Sequence, residues 1–349
     1  MLDLRPFEFR LYNWIKRNLP RAKYNMVSSG LTEPKLSEFG VETGYDVFAQ
    51  SLEDAEERFR NVVAKVYGVN RENVLPTAGG SEAIFLVNAV LFSLTRRVVV
   101  PKPNYEPMFA VPASFGYAFE DDEAALLNTS GKCVCLTNSN NPTGRLLSDE
   151  RIKQLASSLE ESCFLFVDEA FREFYEPSTP KTCFSQGKRI VTSNTMSKFY
   201  GLGRLRVGWI ISDYETVTIL ERAKRLVSGE NSGFSLWLSA QILEKRSRFA
   251  ERAKKVFKEN RAFVEEFVER TRGIEWSDPD AAPFALISYN LPIDSVTLCN
   301  EVLEQTGVLL APGEFFGADH AFRLCFTMEN SVLEKGLNKL ESFIKGKAS

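Results

Sequence analysis

The chain has 349 residues, 43 Lys and Arg against 46 Asp and Glu, and a single histidine, His320. At 44% hydrophobic and 26% charged it has ordinary globular composition, which excludes disorder and collagen-like repeats and leaves room for one large domain with a smaller lobe. A net charge of −3 with both signs mixed argues against nucleic acid and membrane as partners, and one histidine excludes His-rich zinc chemistry.

Residues 1–10 interleave Asp3, Arg5, Glu8 and Arg10 with apolar positions, so no signal peptide is expected. The longest apolar stretch, 83–94, is broken by Asn88 and Ser93 and falls short of the ~20 residues of a membrane span. A soluble, cytoplasmic protein is expected. From about 51 to 212, helical patterns alternate with short β-branched or aromatic runs. Strands are expected at 97–100, 117–120, 133–137, 163–168, 189–193 and 207–212, with helices at 81–94, 106–115 and 148–159. This alternation predicts an α/β fold with a mostly parallel sheet and crossover helices.

After Asp213 the pattern changes to charged amphipathic helices at 214–227 and 234–272. Strands at 284–289, 308–311 and 322–326, with helices at 295–306 and 331–344, then predict a smaller α+β lobe. The expected division is an N-terminal arm over 1–35 packing on the small lobe, a large domain over 36–230 and a small domain over 231–349. The cysteines, at 133, 135, 163, 183, 299 and 325, show no Cys-x-x-Cys spacing and read as core residues of a reduced protein.

Ligands of open α/β sheets bind beyond the carboxyl ends of the strands. Three of the expected strands run into Asn141-Pro142-Thr143-Gly144, into Asp168-Glu169-Ala170 and into Thr195-Met196-Ser197-Lys198, which delivers an amide, a carboxylate and an amine to one rim. That set suits pyridoxal 5′-phosphate: a lysine forms the Schiff base, and the cofactor acts as electron sink. Asp168 would keep the pyridine nitrogen protonated, and the Asn141 amide would donate to the ring O3′. Thr77-Ala78-Gly79-Gly80-Ser81 precedes a predicted helix, so Gly80 and Ser81 can cradle a phosphate together with the Thr195 hydroxyl and Arg206. No metal site is expected. Gly201-x-Gly203 lacks the third glycine of a dinucleotide loop, Arg206 standing near its place.

The segment Ser197-Lys198-Phe199-Tyr200-Gly201-Leu202-Gly203-Arg204-Leu205-Arg206 resembles the pyridoxal-lysine signature of class I/II aminotransferases, and the Asn141 and Asp168 motifs follow the family's order. In length and spacing the chain is nearest the histidinol-phosphate aminotransferase and threonine-phosphate decarboxylase branch. The resemblance implies the fold-type I architecture and a homodimer acting on an amino acid and a 2-oxo acid. It further implies that Tyr105 stacks on the cofactor ring, that Arg323 grips the substrate carboxylate and that Tyr45 reaches a neighbouring subunit's phosphate. One departure is Phe171, where many relatives carry a tyrosine that donates to O3′; its loss implies a Schiff base that holds its proton to higher pH. Tyr200 and Tyr175 are the candidate substitute donors. Decarboxylation or elimination on the same constellation, and a non-catalytic cofactor-binding subunit, remain as alternatives.

Overall fold

The computed structural model describes residues 8–44, 46, 51–280 and 282–348. Its first part runs α1 (Arg10–Asn18), β1 (Tyr24–Asn25), α2 (Leu52–Tyr67), β2 (Val74–Thr77), α3 (Gly80–Val90), β3 (Arg97–Val99), α4 (Pro107–Ser114) and β4 (Ala118–Glu120). Next come β5 (Cys133–Thr137), α5 (Asp149–Ser157), β6 (Leu165–Asp168), β7 (Ile190–Thr195) and β8 (Gly208–Ile211). The remainder comprises α6 (Tyr214–Val227), α7 (Gly233–Glu244), α8 (Arg246–Arg270), β9 (Ile274–Trp276), β10 (Phe284–Tyr289), α9 (Ser295–Thr306), β11 (Val308–Leu309), β12 (Ala311–Pro312), β13 (Ala321–Cys325) and α10 (Asn330–Ala348).

Seven strands form the central sheet in the order β2-β8-β7-β6-β5-β3-β4. From β4 to β7 all neighbours are parallel, while β8 runs antiparallel to β7 and β2. Every residue of β5, β6, β7 and β8 is buried, as strands covered on both faces require. The expected α/β architecture with a mostly parallel sheet is therefore the one observed. Register carries it into function: Thr137 lies beside Asp168 and Asp168 beside Ser193, so three consecutive strands end level and discharge their loops on one rim.

Some elements differ from the sequence expectation for identifiable reasons. Strand β2 went unread because Pro76 interrupts it; the structure puts it at the sheet edge, where a missing N–H is tolerated. The helix expected over 234–272 is two helices with a break at Lys245, whose ψ of 16° leaves the helical range. No proline or glycine marks that break. The change of environment does, since Leu236 to Leu243 are all buried whereas α8 is amphipathic. The run expected as one strand at 308–311 splits into β11, which pairs with β1, and β12, which pairs with β13.

A second, four-stranded antiparallel sheet has the order β12-β13-β10-β9. Leu11 and Trp14 of α1 are buried in its core with Val302, Phe316 and Leu337, and the Trp14 indole donates to the Leu310 carbonyl at 3.1 Å. Helix α7 packs instead against α2, in a core that includes Phe59, Val63, Leu236 and Ala240. All six cysteines are free and buried. No helix among the described residues is long and apolar enough to cross a membrane.

Candidate active site

The level strand ends form the floor of a cavity of about 1160 Å³. Gly80, Ser81, Tyr105, Asp168, Thr195, Lys198, Arg206 and Arg323 all line it. Asn141 is buried and joins the group through Arg323, whose Nη1 donates to its Oδ1 at 2.8 Å. Tyr45 lies outside the described residues. The site thus assembles from strand ends, a helix start and one strand of the second sheet, which are far apart in sequence.

Asp168 ends β6 with its carboxylate buried, accepting from Ser193 Oγ at 2.9 Å. Burial pushes this carboxyl up to about 6, against the opposing pull of the Ser193 bond, the Ala170 N–H and the Lys198 charge. Lys198 stands on the turn after β7. Burial and the neighbouring Arg323 guanidinium push its amine down to about 8. A carboxylate and an amine with such opposed displacements in one cavity are the mark of a chemical site.

At the other end, α3 begins at Gly79 with no side chain capping it, so its first N–H groups are available to an anion. Gly79 has φ +86°, a conformation that favours glycine, and its missing Cβ leaves room for the Arg206 guanidinium over the helix start. Arg206 itself adopts φ 52°, a costly conformation for a side-chain-bearing residue, and anchors by donating to the Ala78 carbonyl at 3.0 Å. Thr195 Oγ1 lies 3.0 Å from Ser197 Oγ, which places a second hydroxyl in the cradle. Ser197 was legible as part of the lysine motif but went unassigned.

A strap of residues 26–33 roofs the lysine turn, and Ser29 on it meets the Lys198 amine at 3.0 Å. The sequence pattern gave no sign of this contact. Arg323 is buried between the rings of Phe284 and Phe316, at 5.3 and 4.9 Å, and its Nε is buried without a partner among the described residues. Phe171 is buried edge-on to Phe284, 5.5 Å from the Lys198 amine. Neither candidate substitute donor reaches that position: Tyr200 gives its hydroxyl to Glu173 at 2.8 Å, and Tyr175 is exposed and does not line the cavity. His320 is exposed on a turn outside the cavity, beside Asp319 and Tyr289.

An anion cradle, a buried carboxylate, an amine and an orphaned guanidinium donor in one enclosure fit a phosphorylated, nitrogen-containing aldehyde with a carboxylate-bearing substrate. Independently, the sequence pattern of the family aminotransferase class I and II matches residues 52–340. The chain belongs to that family. It is an enzyme of this class, and its cofactor is pyridoxal 5′-phosphate. Capreomycidine synthase of Streptomyces vinaceus is 26% identical to it over 94% of this chain and 91% of that protein. Histidinol-phosphate aminotransferase 2 of Archaeoglobus fulgidus is 27% identical over 67% of this chain and 68% of its own length. Among solved structures, a PLP-dependent aminotransferase from Streptococcus suis superimposes with a TM-score of 0.84 at 22% identity, covering 97% of this chain and 98% of that one. The PLP-dependent cyclase OrfR gives 0.82 at 24% identity, with 96% of each chain covered. At such identities these structures speak for the fold.

Proposed function

We propose that the protein is an aminotransferase that moves an amino group between an amino acid, or an amino-phosphate such as histidinol phosphate, and a 2-oxo acid. The observation that carries this reading is the placement of the Lys198 amine, the Asp168 carboxylate and the Arg323 guanidinium in one cavity. When bound, pyridoxal phosphate supplies an aldehyde for the amino nitrogen and a ring that withdraws electrons from the substrate carbon. The first turn of α3, with Gly80 and Ser81, binds the phosphate together with Thr195 and Arg206. Tyr105 packs on the ring face. Asp168 holds the ring nitrogen's proton by its negative charge. Asn141 has its amide oxygen committed to Arg323, so its donor nitrogen serves O3′. Arg323 fixes the substrate carboxylate, and that orientation decides which bond at the substrate carbon is activated.

Lys198 would hold the cofactor through Nζ, and the same nitrogen would take up and return the proton of the substrate carbon. An amine displaced to about 8 suits this work, because a useful fraction is neutral near physiological pH. We further assign the protein to the cytoplasm as a homodimer in which Tyr45 reaches the phosphate held by a second copy. A second reading, elimination or cyclisation on the same residues, is supported for cyclisation by the likeness to the PLP-dependent cyclase OrfR over 96% of each chain. The two are separated by the fate of the nitrogen: transamination moves it onto the 2-oxo acid acceptor, elimination releases it as ammonia and cyclisation keeps it in the product. Borohydride reduction of the loaded protein followed by peptide mass mapping should modify Lys198. Modification of another lysine overturns the assignment.

A further inference from the structure

Ser29 lines the cavity with its side chain buried, and its Oγ accepts a hydrogen bond from Lys198 Nζ at 3.0 Å. The fold builds this contact from both sides. Toward the lysine, a Cβ on Gly30 would lie 2.5 Å from the Ser197 carbonyl, and one on Gly201 would lie 2.5 Å from the Thr32 carbonyl, so the two segments touch only because both positions are glycine. The Leu31 N–H also donates to the Lys198 carbonyl at 2.9 Å. On its other flank the strap is tied to the end of β13 and the residues after it. Cys325 N–H donates to the Met26 carbonyl at 2.8 Å, Arg323 Nη2 to the Val27 carbonyl at 2.9 Å and Thr327 Oγ1 to the Ser28 carbonyl at 3.1 Å. The strap is therefore fixed between the lysine turn and the arginine that faces the substrate, with Ser29 at the point where it meets the amine.

We infer that Ser29 is a positioning residue for the reaction, whose hydroxyl holds one N–H of the free Lys198 amine so that the Nζ lone pair is turned away from the strap toward the substrate carbon. This rests on the reading of Lys198 as the proton carrier. A neutral amine has two N–H bonds and one lone pair. With one N–H fixed on Ser29 Oγ, rotation about the last side-chain bond is restricted and the lone pair is held off the strap, in one of the two remaining staggered positions. The proton leaves carbon for Nζ, while the serine hydroxyl neither gains nor loses one. Its bond strengthens once the donor is an ammonium. A neutral acceptor does this without the fixed negative charge that would keep the amine protonated.

Ser29→Ala tests the assignment by two measurements on the full-length protein. In the cofactor-free chain, the pH dependence of Lys198 acylation by acetic anhydride should shift, with the midpoint about half to one pH unit lower, because the ammonium loses an acceptor. In the loaded enzyme, kcat should fall about 10- to 100-fold with little change in KM, and the primary isotope effect with an α-deuterated amino donor should rise. Ser29→Cys, similar in size but a weak acceptor, should behave alike and serves if the alanine variant does not fold. An unchanged midpoint with an unchanged isotope effect overturns the role of Ser29. Failure of borohydride reduction to label Lys198 overturns the underlying reading of the site instead.

Discussion

The floor and the roof of the cavity are built on different principles. The floor consists of parallel strand ends whose every residue is buried, and each group on it is set by the sheet register. The roof consists of the 26–33 strap and α1, held by hydrogen bonds to the lysine turn and to β13, by glycine contacts and by buried side chains such as Met26, Val27 and Trp14. The strands hold the charged groups, and the strap adds one neutral hydroxyl. Removing a floor residue should therefore affect the chemistry, as should removing Ser29, the strap hydroxyl bonded to the lysine amine, whereas loosening α1 should affect mainly binding.

Asp168→Asn offers the largest break in that comparison. In the loaded enzyme kcat should fall by about a thousandfold, the scale of losing a charge aimed at the reacting system. Stability of the cofactor-free protein should move the opposite way. A carboxyl raised to about 6 by burial binds its proton more tightly folded than unfolded, so its cost is absent below pH 4, grows as pH rises, and is complete above about 6. The asparagine variant should accordingly be more stable than the parent at pH 8, by up to about 3 kcal/mol, and the difference should vanish at pH 4. Urea unfolding at the two pH values measures it. A variant less stable at pH 8 would mean that the Ser193 bond outweighs burial.

The floor continues beneath the lysine turn in a buried network on Glu173. Its carboxylate accepts from Tyr67 at 2.9 Å, from Tyr200 at 2.8 Å and from Arg246 at 2.7 Å. The break at Lys245 is what lets α8 start with Arg246 against this carboxylate, so it serves packing beneath the site. Glu173→Ala should cost about 2–3 kcal/mol by taking the carboxylate from the half-buried Arg246 and the acceptor from Tyr67 and Tyr200, while Glu173→Gln, which keeps an acceptor, should cost less. Thermal unfolding of both variants distinguishes a needed charge from a needed acceptor.

The difference between floor and roof is also the difference in what the sequence revealed. Lys198, Asp168, Asn141, Arg206 and the Gly79-Gly80 turn sit in short motifs at strand ends or a helix start, where local pattern and three-dimensional position coincide. Ser29 meets Lys198 across 169 positions, and Arg323 meets Asn141 across 182. Nothing in the local pattern of either segment encodes those pairings; they follow from how the second sheet docks against the first. The N-terminal helix was hidden for a related reason. Phe9 at its start offers no capping side chain, and the cap comes from Glu106, which accepts from the Arg10 and Leu11 N–H groups at 2.9 and 2.7 Å.

That tertiary cap yields the smallest effect and the closest test of the roof. Glu106 lies at the start of α4, just after Tyr105, so one segment both lines the cavity and ties down α1. Helix α1 in turn brings Leu11, Tyr12 and Ile15 to the cavity wall. Glu106→Ala should cost about 1 kcal/mol, the usual scale for a lost cap, and speed proteolysis between residues 8 and 22. If the roof only encloses, KM for the amino donor should rise about fivefold while kcat holds, because the loosened wall weakens ground-state and transition-state binding alike. A fall in kcat as large as the rise in KM would show that α1 sets the geometry of the chemical step, and the division between floor and roof would then fail at this helix.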